Sequence, residues 1–134
     1  MMNWEFREGL KYSKDHEWVR VDEGNLVIVG ITDYAQHKLG DVVFVELPEV
    51  DDEVKAGESM GVIESVKAVA DVFSAIDGVV TEVNEDLLDQ PELLNQEPFE
   101  GGWIAKIELS NEGQLNELLD MEGYKEFIRQ EEEG

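Results

Sequence analysis

The chain contains no cysteine, so none of its own side chains can form a disulfide, bind a metal through thiolate or act as a thiol nucleophile. Any redox or thiol chemistry must be carried by a group attached to it. Cations are scarce as well: 10 Lys and Arg stand against 33 Asp and Glu, for a net charge of −23. A field that negative repels phosphate backbones and anionic lipid, which argues against nucleic acid and membrane surfaces as partners. The excess acid reads equally as a device for solubility or as steering toward basic partner surfaces. No segment approaches the length of a membrane span, and Met1 to Gly9 lacks an apolar run of signal length, so a cytoplasmic protein is expected. The only histidines, His16 and His37, offer no metal-site spacing. Gly-rich phosphate loops and Ser-His-Asp sets are missing too, so an autonomous enzyme is not expected.

What is present suffices for one core. Hydrophobic residues make up 42% of the 134, among them three Trp, three Tyr and five Phe. Residues 10–130 are expected to form a single domain, with 1–9 an N-terminal extension and 131–134 an acidic tail. Alternation over Trp18 to Val21 predicts a half-buried strand, and Leu26 to Gly30 predicts its return. Asp22-Glu23-Gly24-Asn25 forms the turn between them, with Gly24 and Asn25 able to take positive φ. Thr32 or Asp33 caps a short helix through Leu39, which Gly40 ends. Val42 to Leu47 reads as a strand closed by Pro48, and Val50 to Glu58 as a loop. Val79 to Val83 reads as a further strand. Glu85 to Asn95, interrupted by Pro91, reads as two short helical turns. Trp103 to Leu109 is the last strand. Ser110-Asn111-Glu112 then opens an amphipathic helix pair, interrupted at Gly123, that ends in the solvated run Glu131 to Glu133.

The chain is organised around Gly57 to Gly78. Two strand-length apolar segments there flank a single lysine, Lys67, and are bounded by glycine and acidic residues. Lys67 is therefore expected at or beside a hairpin tip, where a cation contributes little to a core and is presented rather than packed. Asp71 interrupts the otherwise apolar stretch from Val69 to Phe73.

The run Glu64-Ser65-Val66-Lys67-Ala68, followed by Asp71 and Gly78, is similar to the lipoylation site of the glycine cleavage system H-protein family. Tyr12 to Val19, Gly30 to Gln36, Leu39 to Pro48 and Pro91 to Asn95 resemble the same family in the same order, so the likeness covers nearly all of the chain after residue 9. The resemblance implies a mostly β fold of the lipoyl and biotinyl carrier type, a barrel-sandwich hybrid with a short helix near residue 35 and C-terminal helices. It implies lipoate in amide linkage to Lys67, and a carrier that is a substrate rather than a catalyst.

By the same resemblance the arm accepts an aminomethyl group from the pyridoxal-phosphate glycine decarboxylase and passes it to the aminomethyltransferase. Dihydrolipoamide dehydrogenase then reoxidises it. Lipoyl-attaching enzymes are further partners, and a monomer is implied. Glu17 and Asp71 carry over as carboxylates that shield the cationic cargo, and Glu64 as a recognition determinant for lipoylation. Read alone, Glu17 is equally a solvated acid on a strand face, and Glu64 a charge flanking a turn. The sequence departs from the family at Ala75, where proline is common, and at Val69-Ala70, where smaller or hydroxyl-bearing residues are usual. Three other readings stay open: a lipoate carrier or relay of another pathway such as sulfur oxidation, a biotin carrier, and an unmodified acidic interaction module. The biotin reading is disfavoured because Lys67 has Val66 and Ala68, not methionine, beside it.

Overall fold

In the computed structural model, residues 4–133 are described. The first three residues of the expected extension and Gly134 of the expected tail lie outside the described residues. From the N-terminus, β1 (Lys11–Tyr12), β2 (Glu17–Glu23) and β3 (Leu26–Ile31) form an antiparallel run. The β2–β3 turn needs a left-handed residue, and Gly24 alone supplies it, with φ 59°; Asn25 keeps negative φ. Helix α1 (Asp33–Leu39) starts where the Thr32 hydroxyl accepts the Ala35 N–H and stops at Gly40, with φ 81°. Strand β4 (Val42–Glu46) follows.

The expected loop from Val50 to Glu58 contains a two-residue strand, β5 (Glu53–Val54), which pairs with Val79 and Gly78. Strands β6 (Ser59–Ser65) and β7 (Val69–Phe73) make the central hairpin, and β8 (Gly78–Val83) follows. Helices α2 (Asp86–Asp89) and α3 (Leu93–Gln96) lie on either side of Pro91, and β9 (Ala105–Leu109) is the last strand.

Six strands form one antiparallel sheet in the order β1-β2-β3-β9-β8-β5, and three form a second, β4-β6-β7. The inner residues of the two sheets, among them Val27, Val29, Ile63, Val72, Val80 and Ile107, make the main core. This is the expected mostly β barrel-sandwich hybrid, with two sheets facing one another and no closed barrel.

A second apolar cluster lies on the other face of the larger sheet, where Tyr12, Trp18, Tyr34 and Phe99 meet Tyr124 and Ile128. Strand β2 is therefore covered on both sides at its start: Trp18 faces the second cluster and Val19 the first, both nearly inaccessible. Simple alternation fails here, and Val21 at the far end is 53% exposed. Trp18 also explains Gly30, its register partner, because a Cβ at Gly30 would lie 2.6 Å from the indole ring. Gly30→Ala is expected to cost about 1–3 kcal/mol through overpacking, read as a fall of several degrees in the thermal midpoint.

The C-terminal helix pair differs from expectation in form. Leu115 lies in a 3-10 helix (Glu112–Glu117), capped where the Asn111 side chain accepts the Gly113 N–H. Helix α4 (Met121–Glu133) runs through Gly123 without a break, because the Asp120 carboxylate accepts the Gly123 N–H at 2.8 Å and caps the first turn. Glu131 to Glu133 continue this helix instead of leaving it as a detached tail. The described part of the extension packs on the same face: Trp4 meets the Tyr34 ring edge-on at 5.2 Å, and the Arg7 N–H donates to the Tyr12 hydroxyl.

Candidate functional site

The β6–β7 hairpin closes tightly because Ser65 manages the turn. Its N–H donates to the Ala68 carbonyl at 2.8 Å, and its hydroxyl oxygen accepts the N–H groups of Lys67 and Ala68. Such local side-chain bonds stabilise a turn against continued strand. Ser65 is buried, while Val66, Lys67 and Ala68 are exposed. The expected position of Lys67 at the tip is what the structure shows.

The lysine does not stand wholly clear of neighbours. Its aliphatic stem lies against Gly40, where an added Cβ would sit 3.2 Å from Lys67 Cε. The tip is tied to the same segment, since the Val66 N–H donates to the Asp41 carbonyl at 3.0 Å. That segment is held in turn by Asn95 at the end of α3: its amide donates to the Gly40 carbonyl and the Gln36 side chain, and its oxygen accepts the Val42 N–H. Among the described residues Lys67 makes no ion pair.

Beside this seat, between α1 and β7, opens a cleft of about 310 Å³. Ile31, Leu39, Ile63 and Val72 give it apolar walls, and Glu17 and Asp71 both line it. Ala70, one of the departures from the family pattern, also lines it, while Val69 is exposed on the hairpin.

Glu17 is not a solvated acid: it is only 3% exposed. The Ser13 hydroxyl donates to its Oε1 at 2.8 Å and the Phe73 N–H to its Oε2 at 3.2 Å. Burial still outweighs those bonds and pushes its carboxyl up to about 8. Asp71 is exposed at the rim and accepts the Ser59 hydroxyl at 3.0 Å. Glu64 stands apart from both. It pairs in register with Phe44 and Val69, and the cleft is lined by its neighbour Ile63, which points the other way. Glu17 and Asp71 thus both line one cleft; Asp71, on the edge strand β7, shares the outer face of the hairpin with Glu64, which the cleft does not reach.

Sequence reasoning missed the remaining titratable groups that line the cleft with Glu17 and Asp71, among them Asp15, His16, Lys38 and Glu131. His16, with φ 69°, places Nδ1 2.9 Å from the Tyr124 hydroxyl and Nε2 3.2 Å from Glu131. Burial lowers its pKa. No local motif announces this set, because α4 brings Tyr124 and Glu131 to residues more than a hundred positions earlier. Among the described residues no cluster of His, Asp and Glu has the arrangement to hold a metal ion.

Residues 10–131 match the family model described as glycine cleavage H-protein. The glycine cleavage system H protein of Carboxydothermus hydrogenoformans is 52% identical over 124 residues, covering 92% of this chain and 95% of that protein. Its counterpart in Staphylococcus haemolyticus is 56% identical over 119 residues, covering 89% and 94%. The crystal structure of a glycine cleavage system H protein from Mycobacterium marinum superposes with a TM-score of 0.82 at 37% identity, covering 94% of this chain and 98% of that one. With sheet order, hairpin and cleft all in place, the chain belongs to the glycine cleavage H-protein family.

Proposed function

We propose that this chain is a lipoyl-lysine carrier that shuttles an aminomethyl group among the enzymes of the glycine cleavage system, with Lys67 as the point of attachment. The observation that carries the reading is an exposed lysine without an ion pair among the described residues, on a tight turn seated beside an apolar cleft that ends in a buried carboxyl. Those residues fit lipoate: Lys67 Nζ is accessible for an amide, and the aliphatic cleft walls suit an acyl chain. When bound, the group would supply the sulfur chemistry of aminomethyl transfer and redox cycling that a chain without cysteine lacks.

The chain's own residues do the rest. Lys67 tethers the arm, so that one reactive end meets several active sites at high effective concentration. Asp71 and Glu17 hold a cationic amine by charge-assisted hydrogen bonds, with Asp71 at the rim and Glu17 at depth. Glu17 rests protonated near neutral pH, and a docking cation favours loss of the proton from its carboxyl. The apolar walls exclude water from the held cargo. Glu64, outside the cleft, serves recognition by the lipoyl-attaching enzymes.

In this reading the protein is a substrate, not a catalyst. Its partners are the pyridoxal-phosphate glycine decarboxylase, the aminomethyltransferase and dihydrolipoamide dehydrogenase. Residues 10–130 act as one carrier domain, monomeric and cytoplasmic. Among the described residues no helix is long and apolar enough to cross a membrane. The test is exchange of labelled bicarbonate into the glycine carboxyl. The lipoylated chain is expected to support exchange with the decarboxylase, and the unmodified chain is not. A lipoylated chain inert with a decarboxylase that works on another H protein would move the carrier to a different pathway.

A further inference from the structure

Among the described residues seven large hydrophobic side chains stand out as exposed: Val21, Val43, Phe44, Val50, Val66, Val69 and Leu88. Four of the seven, Val43, Phe44, Val66 and Val69, fall on β4 and the lysine hairpin, at 51–70% exposure. Register explains how they come together. Phe44, Glu64 and Val69 are successive partners across the β4-β6-β7 sheet and share its outer face. The pairing slips between Val42 and Phe44, so that Val43 is an extra residue in β4. Such a bulge lets two consecutive side chains leave the core side together, and both Val43 and Phe44 are exposed. The next row across the sheet is Glu46, Val62 and Asp71. The outer face thus carries two exposed apolar groups, Val43 with Phe44 on β4 and Val66 with Val69 on the hairpin, with Glu64 between them and Glu46 and Asp71 in the next row. In β4, β6, β7 and the hairpin turn, Lys67 is the only cation.

We infer that this outer face is the docking surface for the enzyme that acylates Lys67, and that the enzyme meets it with apolar contacts set among arginine and lysine side chains. The inference rests on Lys67 being the acylated residue, and it extends recognition from the turn to β4, the strand paired beside the hairpin. Charge selects the occupant. A second copy of this chain would set Glu46 and Glu64 against their equivalents on a molecule already at −23, which repels. A basic partner gains from these carboxylates, while the apolar side chains on either side of Glu64 supply desolvated contact.

The experiment is the steady-state acylation of the full chain by a purified lipoate–protein ligase with lipoate and ATP, followed by intact mass. The proteins compared are the wild type, Phe44→Ser, Val69→Ser and the control Val21→Ser, which removes an equally exposed apolar side chain from β2. Circular dichroism and thermal melts establish that each is folded. Phe44→Ser and Val69→Ser are each expected to raise KM about tenfold with kcat changed less than about twofold. Val21→Ser is expected to match the wild type, whose KM should rise with salt. Wild-type KM in both Phe44→Ser and Val69→Ser, on a wild type that is itself modified, would overturn the docking face and leave Lys67 as the acylation site. An equal rise in KM for Val21→Ser would overturn it as well, because any exposed apolar side chain would then have the same effect. A wild type that takes up no lipoyl group would remove the acylation reading, and this inference with it.

Discussion

Replacing Lys67 by arginine should abolish lipoate attachment while leaving the fold intact. Arginine keeps the length and charge of the lysine, but its guanidinium stays protonated and offers no amine for amide formation. The side chain is exposed, so nothing in the core depends on it. The other six lysines are not equivalent substitutes. Lys55, Lys106 and Lys125 lie near carboxylates, and Lys14 and Lys38 over aromatic rings. Lys14 also stands in a turn, between β1 and β2, but none of the six lies on the β6–β7 hairpin beside the cleft that Glu17 and Asp71 line. Intact mass after incubation with lipoate, ATP and a lipoate ligase should show one lipoyl increment on the wild type and none on Lys67→Arg, with thermal midpoints that coincide. An increment on the arginine variant would place the attachment elsewhere and dissolve the connection between the hairpin and the cleft.

Glu17→Gln should stabilise the protein at alkaline pH and cost it about 1 kcal/mol, one hydrogen bond, in acid. An unfolded glutamate titrates near 4.5, whereas burial raises the folded carboxyl to about 8. Below pH 4.5 both states hold the proton and burial carries no charge penalty. Between about pH 4.5 and 8 the unfolded chain releases the proton and the folded chain keeps it, so stability falls as pH rises. Above about pH 8 the loss is complete, and it amounts to roughly 5 kcal/mol at about 1.4 kcal/mol per pH unit. Glutamine does not titrate. Its single oxygen can accept the Ser13 hydroxyl or the Phe73 N–H but not both, since the Ser13 oxygen already accepts the Asp15 and Glu17 N–H groups, so one hydrogen bond worth about 1 kcal/mol is lost at every pH. Self-repulsion of the remaining acids affects both proteins alike and cancels in the difference. Urea denaturation near pH 4, 6 and 9 should therefore show the variant gaining on the wild type as pH rises, from slightly less stable to more stable. A gap independent of pH would assign Glu17 an ordinary carboxylate pKa and end its role as a proton-holding group.

Much of this arrangement is legible in the order of the residues, and the parts that are not have definite causes. The hairpin around Lys67 can be read because each strand is a short apolar run with punctuation at both ends, and α1 because Thr32 and Gly40 are local signals for its two termini. Strand β5 escapes because Glu53 and Val54 show no pattern; they are strand only through pairing with Val79 and Gly78, which lies outside any sequence window. The break expected at Gly123 does not occur because a side chain three residues earlier caps that turn. At the site, resemblance points to Lys67, Glu17 and Asp71, but it does not reveal that Glu17 is buried. That follows from the double covering of β2, a property of packing rather than of neighbours in the chain. His16 and Glu131 are invisible for the same reason, since they meet only when α4 folds across the larger sheet.

The Asn95 clip bears on the order of events during synthesis. Residues 59–73 carry all the hydrogen bonds of their own hairpin, and such local contacts can form early. The seat under Lys67 is different, because Gly40 and Val42 are fixed by a side chain more than fifty positions downstream. A nascent chain that has not yet delivered α3 therefore shows a modifying enzyme the lysine without its platform. If the ligase reads the seated form, acylation acts as a checkpoint, and a lipoyl group marks a molecule whose long-range assembly is complete.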